Sequence, residues 1–186
     1  PSAMIQRDFN LECVNLATSG QARMDFYIAE AMASIEDAIC YVIDPVPNCT
    51  KDRCDTATYD FINILRTLRP EVPIVMVEGL MYPYTRHDSY HAEYLPQKNE
   101  CFRRGFDQHV AENPKGMYYM THEGQTGPDM EGTVDGVHLT DYGFRAYADL
   151  LEIVVKEALD DTDVDYDVEP AYNVVRKKTF WERLKD

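Results

Sequence analysis

The 186-residue chain carries 18 Lys plus Arg against 33 Asp plus Glu, a formal charge of −15 that repels phosphate backbones and anionic lipid surfaces. Nucleic acid and membranes are therefore poor candidate partners, and small neutral ligands fit better. A hydrophobic fraction of 45% and a charged fraction of 27% are those of a globular domain with a real core, and no apolar run approaches the length of a membrane span.

Taken in chain order, Met4 to Phe9 predicts a short helix, and Cys13 to Ala17 a buried strand that ends in Thr18-Ser19-Gly20. Met24 to Ile35 reads as a helix, and Ala38 to Ile43 as a second apolar strand closed by Asp44-Pro45. A helix from Thr56 to Leu68 follows, then Pro70, then the strand Ile74 to Glu78. The segment Tyr82 to Pro96, rich in Tyr, Pro and His, reads as a long loop before a helix from Gln97 to Ala111. Gly116 to Met120 predicts the last strand, and a Gly-rich loop leads to the final helix, with Thr140 as N-cap and Tyr147, Leu150, Leu151, Val154 and Ala158 on one apolar stripe. The strands are apolar throughout rather than alternating, as expected when helices cover both faces, so the order predicts an alternating α/β domain with a parallel sheet. That domain spans residues 1–159. Residues 160–186 read as an acidic linker and a basic, aromatic tail carrying Phe180 and Trp181.

Five cysteines form an odd set. Cys13 and Cys40 lie in apolar runs and read as inert core thiols, whereas Cys49 and Cys54 are close enough in sequence to bridge across a loop. No Cys-x-x-Cys occurs to suggest zinc or thioredoxin-like chemistry.

The most informative element is Asp135-Gly136-Val137-His138. An imidazole becomes an effective general base when one ring nitrogen faces a nucleophile and the other donates to a carboxylate that fixes its tautomer. A turn eased by Gly136 would aim both side chains into one pocket, just before a helix. The alternative is a turn aspartate and a partly buried histidine. Two further loops, Thr18 to Gln21 and Asp44 to Asn48, also fall at the carboxyl ends of predicted strands, where open parallel sheets bind ligands.

With Val14 to Arg23, Tyr41 to Asn48 and Gly132 to Asp141 as its second, third and fifth blocks, the chain resembles the SGNH (GDSL-type) hydrolases, in particular their bacterial lipase/acylhydrolase branch. The resemblance implies a three-layer, flavodoxin-like fold with strand order 2-1-3-4-5. It implies His138 as base, Asp135 as its orienting carboxylate, Gly20 and Asn48 as oxyanion-hole donors, no cofactor, and a periplasmic or extracellular setting. The implied activity is hydrolysis of small-molecule or carbohydrate esters through a Ser-His-Asp triad. Sugar deacetylation is one form of that activity, and Tyr82, Tyr84, Tyr90 and Tyr94 would then be either a sugar-stacking wall or plain packing. The family's first block, which carries the nucleophilic serine at the end of the central first strand, has no counterpart here, since only nineteen residues precede Gly20. The expectation is an N-terminally truncated piece of a longer protein, inactive without that serine. Ala22 and Leu139 also depart from common family residues.

Two competing readings carry different chemistry. His87 and His91, four apart with Glu93 nearby, suggest a metal-dependent hydrolase, although no glutamate follows the first histidine as in the zincin pattern. A degenerate fold that binds sugar or protein without catalysis is the other.

Overall fold

The computed structural model describes residues 1–162, so the expected aromatic tail, and all but the first residues of the acidic linker, lie outside the described residues. Five helices, α1 (Ser2–Phe9), α2 (Phe26–Ala33), α3 (Lys51–Leu68), α4 (Ser89–Glu112) and α5 (Asp141–Asp160), alternate with three strands, β1 (Tyr41–Ile43), β2 (Ile74–Val77) and β3 (Met117–Met120). The strands are parallel in the order β1-β2-β3, with Ile43 opposite Met76 and Val77 opposite Met120.

Period-two side-chain alternation splits β2 between two cores. Ile74 and Met76 point into a cluster with Ala57, Phe61, Ile62 and Leu65 of α3 and Phe102 and Phe106 of α4. Val75 and Val77 point the other way, onto Phe9 of α1 and Tyr147, Leu151, Val155 and Leu159 of α5. All four β2 residues are fully buried, which is why this strand reads as a continuous apolar run. Each large side chain so buried contributes about 1.5–3 kcal/mol relative to exposure, and the sum over both faces makes β2 the axis of a three-layer α/β/α domain. The expected fold class is thus the one observed.

Two expected elements differ. Cys13 to Ala17 forms no strand: Val14 and Leu16 are exposed, and its hydrogen bonds run to nearby side chains, Cys13 N–H to Gln6 at 3.4 Å and Ala17 N–H to Asn15 at 3.0 Å. A strand needs a neighbour to satisfy its backbone groups. No strand among the described residues pairs with this segment, and β1 is paired on one edge only, with Val42 exposed. The second correction concerns Tyr82 to Pro96. A 3-10 turn at Pro83–His87 passes into α4, which begins at Ser89 and runs through Pro96. Proline inside a helix forfeits one hydrogen bond. Asp88 caps the helix start by accepting the His91 N–H at 3.1 Å, and the packing of α4 along α3 outweighs the defect.

Cys49 and Cys54 are both buried, free thiols rather than a bridge. Cys40 is half-buried against the α5 side of the sheet, where burial pushes its thiol up to about 12, consistent with an inert thiol, whereas Cys13 is half-buried outside both core clusters and is not the core thiol expected.

Candidate functional site

The loop from Gly132 to Thr140 is fastened at its base before it presents any side chain. Thr133 and Leu139 form an antiparallel bridge, Val134 N–H donates to His138 C=O at 2.8 Å, and Thr140 N–H donates to Gly132 C=O at 2.9 Å. Gly132 in turn lies against Gly143 in the first turn of α5, so closely that a Cβ on Gly143 would meet the Gly132 carbonyl at 1.9 Å. Thr140 caps α5 by accepting the Gly143 N–H at 3.2 Å. The loop and the helix are therefore one rigid unit.

At its tip, Asp135 and His138 make the contact the sequence motif requires. Asp135 Oδ2 lies 2.7 Å from His138 Nδ1, while Oδ1 accepts the backbone N–H groups of Val137 at 2.9 Å and His138 at 2.8 Å. The His138 backbone N–H, then its ring, then the Val137 N–H hold the Asp135 carboxyl well below the usual carboxylate range. A permanent carboxylate on Nδ1 selects the tautomer whose Nε2 carries a lone pair, the form a general base needs. His138 remains 78% exposed, so its Nε2 side is open. Gly136 adopts φ +88°, and a Cβ there would lie 3.3 Å from the Tyr84 ring.

The other two candidate residues sit in loops at the same end of the fold. Gly20 occupies a turn with φ +68°, closed by Gln21 N–H donating to Thr18 C=O at 3.0 Å, with open space where a Cβ would stand. Asn48 ends the 3-10 turn Val46–Asn48 that follows β1. Arg53 ties the two loops together, its guanidinium donating to Arg23 C=O at 2.9 Å and Met24 C=O at 2.7 Å from the first turn of α3. Tyr147 of α5 donates to Asp44 Oδ2 at 2.8 Å, linking the β1 end to the helix that follows His138. Asp44 is exposed at the end of β1, and desolvation by the protein around it pushes its carboxyl up to about 6 against the pull of the Tyr147 hydroxyl. No hydrogen bond among the described residues joins Gly20 or Asn48 directly to Asp135 or His138.

The tyrosines form a continuous ladder. Tyr82 stacks on Tyr84, Tyr84 meets the His91 ring edge-on, His91 meets Tyr90, and Tyr90 stacks on Tyr94, with centroid spacings of 5.1–5.5 Å. One end lies against the Asp135–His138 turn, where Tyr84 stands beside Gly136. The other reaches α3 just past Asn48, where Tyr94 Oη accepts the Lys51 N–H at 3.1 Å.

A second acid–imidazole pair, not singled out in the sequence, lies within this ladder. Asp88 Oδ2 contacts His91 Nδ1 at 2.6 Å and Oδ1 accepts the His91 N–H, the Asp135–His138 arrangement repeated. The signal was present as the same Asp-x-x-His spacing, at Asp88-Ser89-Tyr90-His91. It also bears on the competing metal reading of His87, His91 and Glu93, since His91 turns to Asp88 while Glu93 accepts from Gln97 at 3.2 Å. Those three do not converge.

A Bacteroides ovatus protein described as a GDSL-like lipase superposes with a TM-score of 0.81 at 26% identity, over 89% of this chain and 48% of its own. The salicylyl-acyltransferase SsfX3 of a tetracycline biosynthetic pathway superposes with a TM-score of 0.67 at 14% identity, over 84% of this chain and 48% of its own, a likeness of fold alone. The chain thus spans about half the length of these solved structures. No curated protein matches. The model of the GDSL-like lipase/acylhydrolase family matches residues 2–156, which hold the Asp135–His138 turn, and the chain belongs to that family.

Proposed function

We propose that this chain carries the base half of a serine acylhydrolase, with an ester as substrate. The observation that carries the reading is the Asp135–His138 pair, with its carboxylate on Nδ1 and its Nε2 side open. In the proposed cycle a serine hydroxyl attacks the acyl carbonyl as His138 Nε2 takes its proton, and the tetrahedral intermediate collapses as that proton passes to the leaving alcohol. Water, activated by the same imidazole, then releases the acid and restores the serine. The Gly20 N–H and the Asn48 amide are the proposed oxyanion donors, each worth about 3 kcal/mol of barrier in such sites.

None of the chain's four serines suits the nucleophile's place. Ser2 lies in α1, Ser34 donates to Ala31 C=O at the end of α2, Ser89 opens α4, and Ser19 stands in the exposed turn beside Gly20. The proposed nucleophile belongs to a segment outside these 186 residues, one whose strand would pair with the free edge of β1. The tyrosine ladder beside Gly136 supports an alcohol with a ring face, such as a sugar, as the substrate's leaving part.

The test is hydrolysis of p-nitrophenyl acetate by a chain extended upstream through its serine, alongside its His138→Ala form. A loss of about 10³-fold or more in kcat is expected, and equal rates would reject His138 as the base.

A further inference from the structure

We infer that His122 Nε2 and the Glu123 carboxylate bind a single divalent transition cation of the zinc type, with Glu78 as the carboxylate that supports His122 from behind, separate from the Asp135–His138 turn. Glu78 follows β2 and His122 follows β3, so both stand at the carboxyl edge of the sheet. Their placement is rigid. Glu78 N–H extends the β2–β3 ladder to Met120 C=O at 2.9 Å, Gln125 Nε2 donates to Glu78 C=O at 3.0 Å, and Asn99 grips both N–H and C=O of Gly79 at 2.9 Å. Asn99 and Gln125 are themselves buried, which is heavy support for one carboxylate.

That carboxylate is spent on one histidine. Glu78 Oε2 accepts the His122 backbone N–H at 3.0 Å and contacts Nδ1 at 2.7 Å. A histidine whose Nδ1–H is held by a buried carboxylate presents a fixed, basic Nε2, the usual arrangement behind a metal-ligating imidazole. Glu123 Oε1 lies 3.9 Å from that Nε2. This is about half an ångström more than two donors at about 2.0–2.2 Å from one tetrahedral ion require, and the exposed Glu123 side chain can close it by rotation. The ligand-type atoms of these three residues converge as no other such group does among the described residues. Glu78 and His122 also line a cavity of about 710 Å³, wide enough for water to fill the remaining coordination positions. Arg103 and Arg104 on its wall are paired with Asp107 at 2.8 Å and Asp55 at 2.6 Å, which offsets their charge. One nitrogen and one carboxylate oxygen with open water positions suit zinc better than calcium or magnesium, which favour all-oxygen shells.

The test is calorimetric titration of ZnCl2 into the tag-free chain after chelator treatment and dialysis. One equivalent is expected to bind, lost in His122→Ala, and weakened about 10–100-fold in Glu78→Gln, where only the supporting carboxylate changes. Glu123→Gln, a surface change that spares the fold, weakens binding comparably, and His91→Ala and His138→Ala leave it intact. Zinc also raises the Tm of the parent chain and not of His122→Ala. Absence of binding at about 100 μM zinc, a site that survives His122→Ala, or one removed by His91→Ala overturns the inference.

Discussion

The two carboxylate oxygens of Asp135 act on different parts of His138: Oδ1 accepts its backbone N–H at 2.8 Å, and Oδ2 its ring Nδ1 at 2.7 Å. Turn and imidazole are thereby set by one side chain, so the geometry of the ring is tied to the backbone that carries it. Asp135→Asn keeps an acceptor but can also present an N–H, and it removes the charge that stabilises the imidazolium. In the upstream-extended protein, kcat for p-nitrophenyl acetate is expected to fall about 10⁴-fold with KM little changed. A fall of less than about tenfold would show that Asp135 shapes the turn without supporting a base.

Gly136→Ala tests the turn from the other side. At φ +88° an alanine is strained by about 1–2 kcal/mol, and its Cβ presses on the Tyr84 ring at 3.3 Å. Chemical denaturation is expected to show a loss of that order, with circular dichroism unchanged.

Gly143→Ala is expected to be far more damaging, because its Cβ would stand 1.9 Å from the backbone oxygen of Gly132, which no rotamer change can relieve. The Asp135–His138 loop must then lift off α5. A loss of about 3 kcal/mol or more is expected by thermal or urea unfolding, together with loss of any activity that depends on His138.

Asp44 offers a pH signature. Its carboxyl is raised from an ordinary 3.8 to about 6, so the folded state holds this proton more tightly than the unfolded chain does. Its contribution to stability is fully present below about pH 4 and is lost as pH rises through about 6. Asp135 works in the opposite sense: its carboxyl is lowered, so its contribution is present above the usual carboxylate range and lost as pH falls below it. Tyr147→Phe removes the hydroxyl that favours ionised Asp44, and a ¹³C NMR titration is expected to find the Asp44 carboxyl raised further. An unchanged or lowered midpoint would contradict the 2.8 Å bond.

Removing the ring at Tyr84 separates recognition from chemistry. Because Tyr84 joins the aromatic ladder to Gly136, Tyr84→Ala in the upstream-extended protein is expected to raise KM about tenfold for acetylated sugars, and to change KM for p-nitrophenyl acetate much less. Equal effects on both substrates would assign Tyr84 to loop support alone.

The sequence by itself determined the α/β alternation, the apolar strands of β1, β2 and β3, the helix stripe of α5 and the Asp135–His138 pair, because each rests on spacing along a few adjacent residues. Tertiary structure alone decided what depends on neighbours distant in the chain. Cys13 to Ala17 has strand composition, yet no strand among the described residues pairs with it, so the segment stays open. Pro96 reads as a helix breaker, yet contact with α3 carries α4 through it. Glu78 and His122, 44 residues apart, look unremarkable in a line of letters, and only the parallel register of β2 and β3 brings a carboxylate and an imidazole to 2.7 Å.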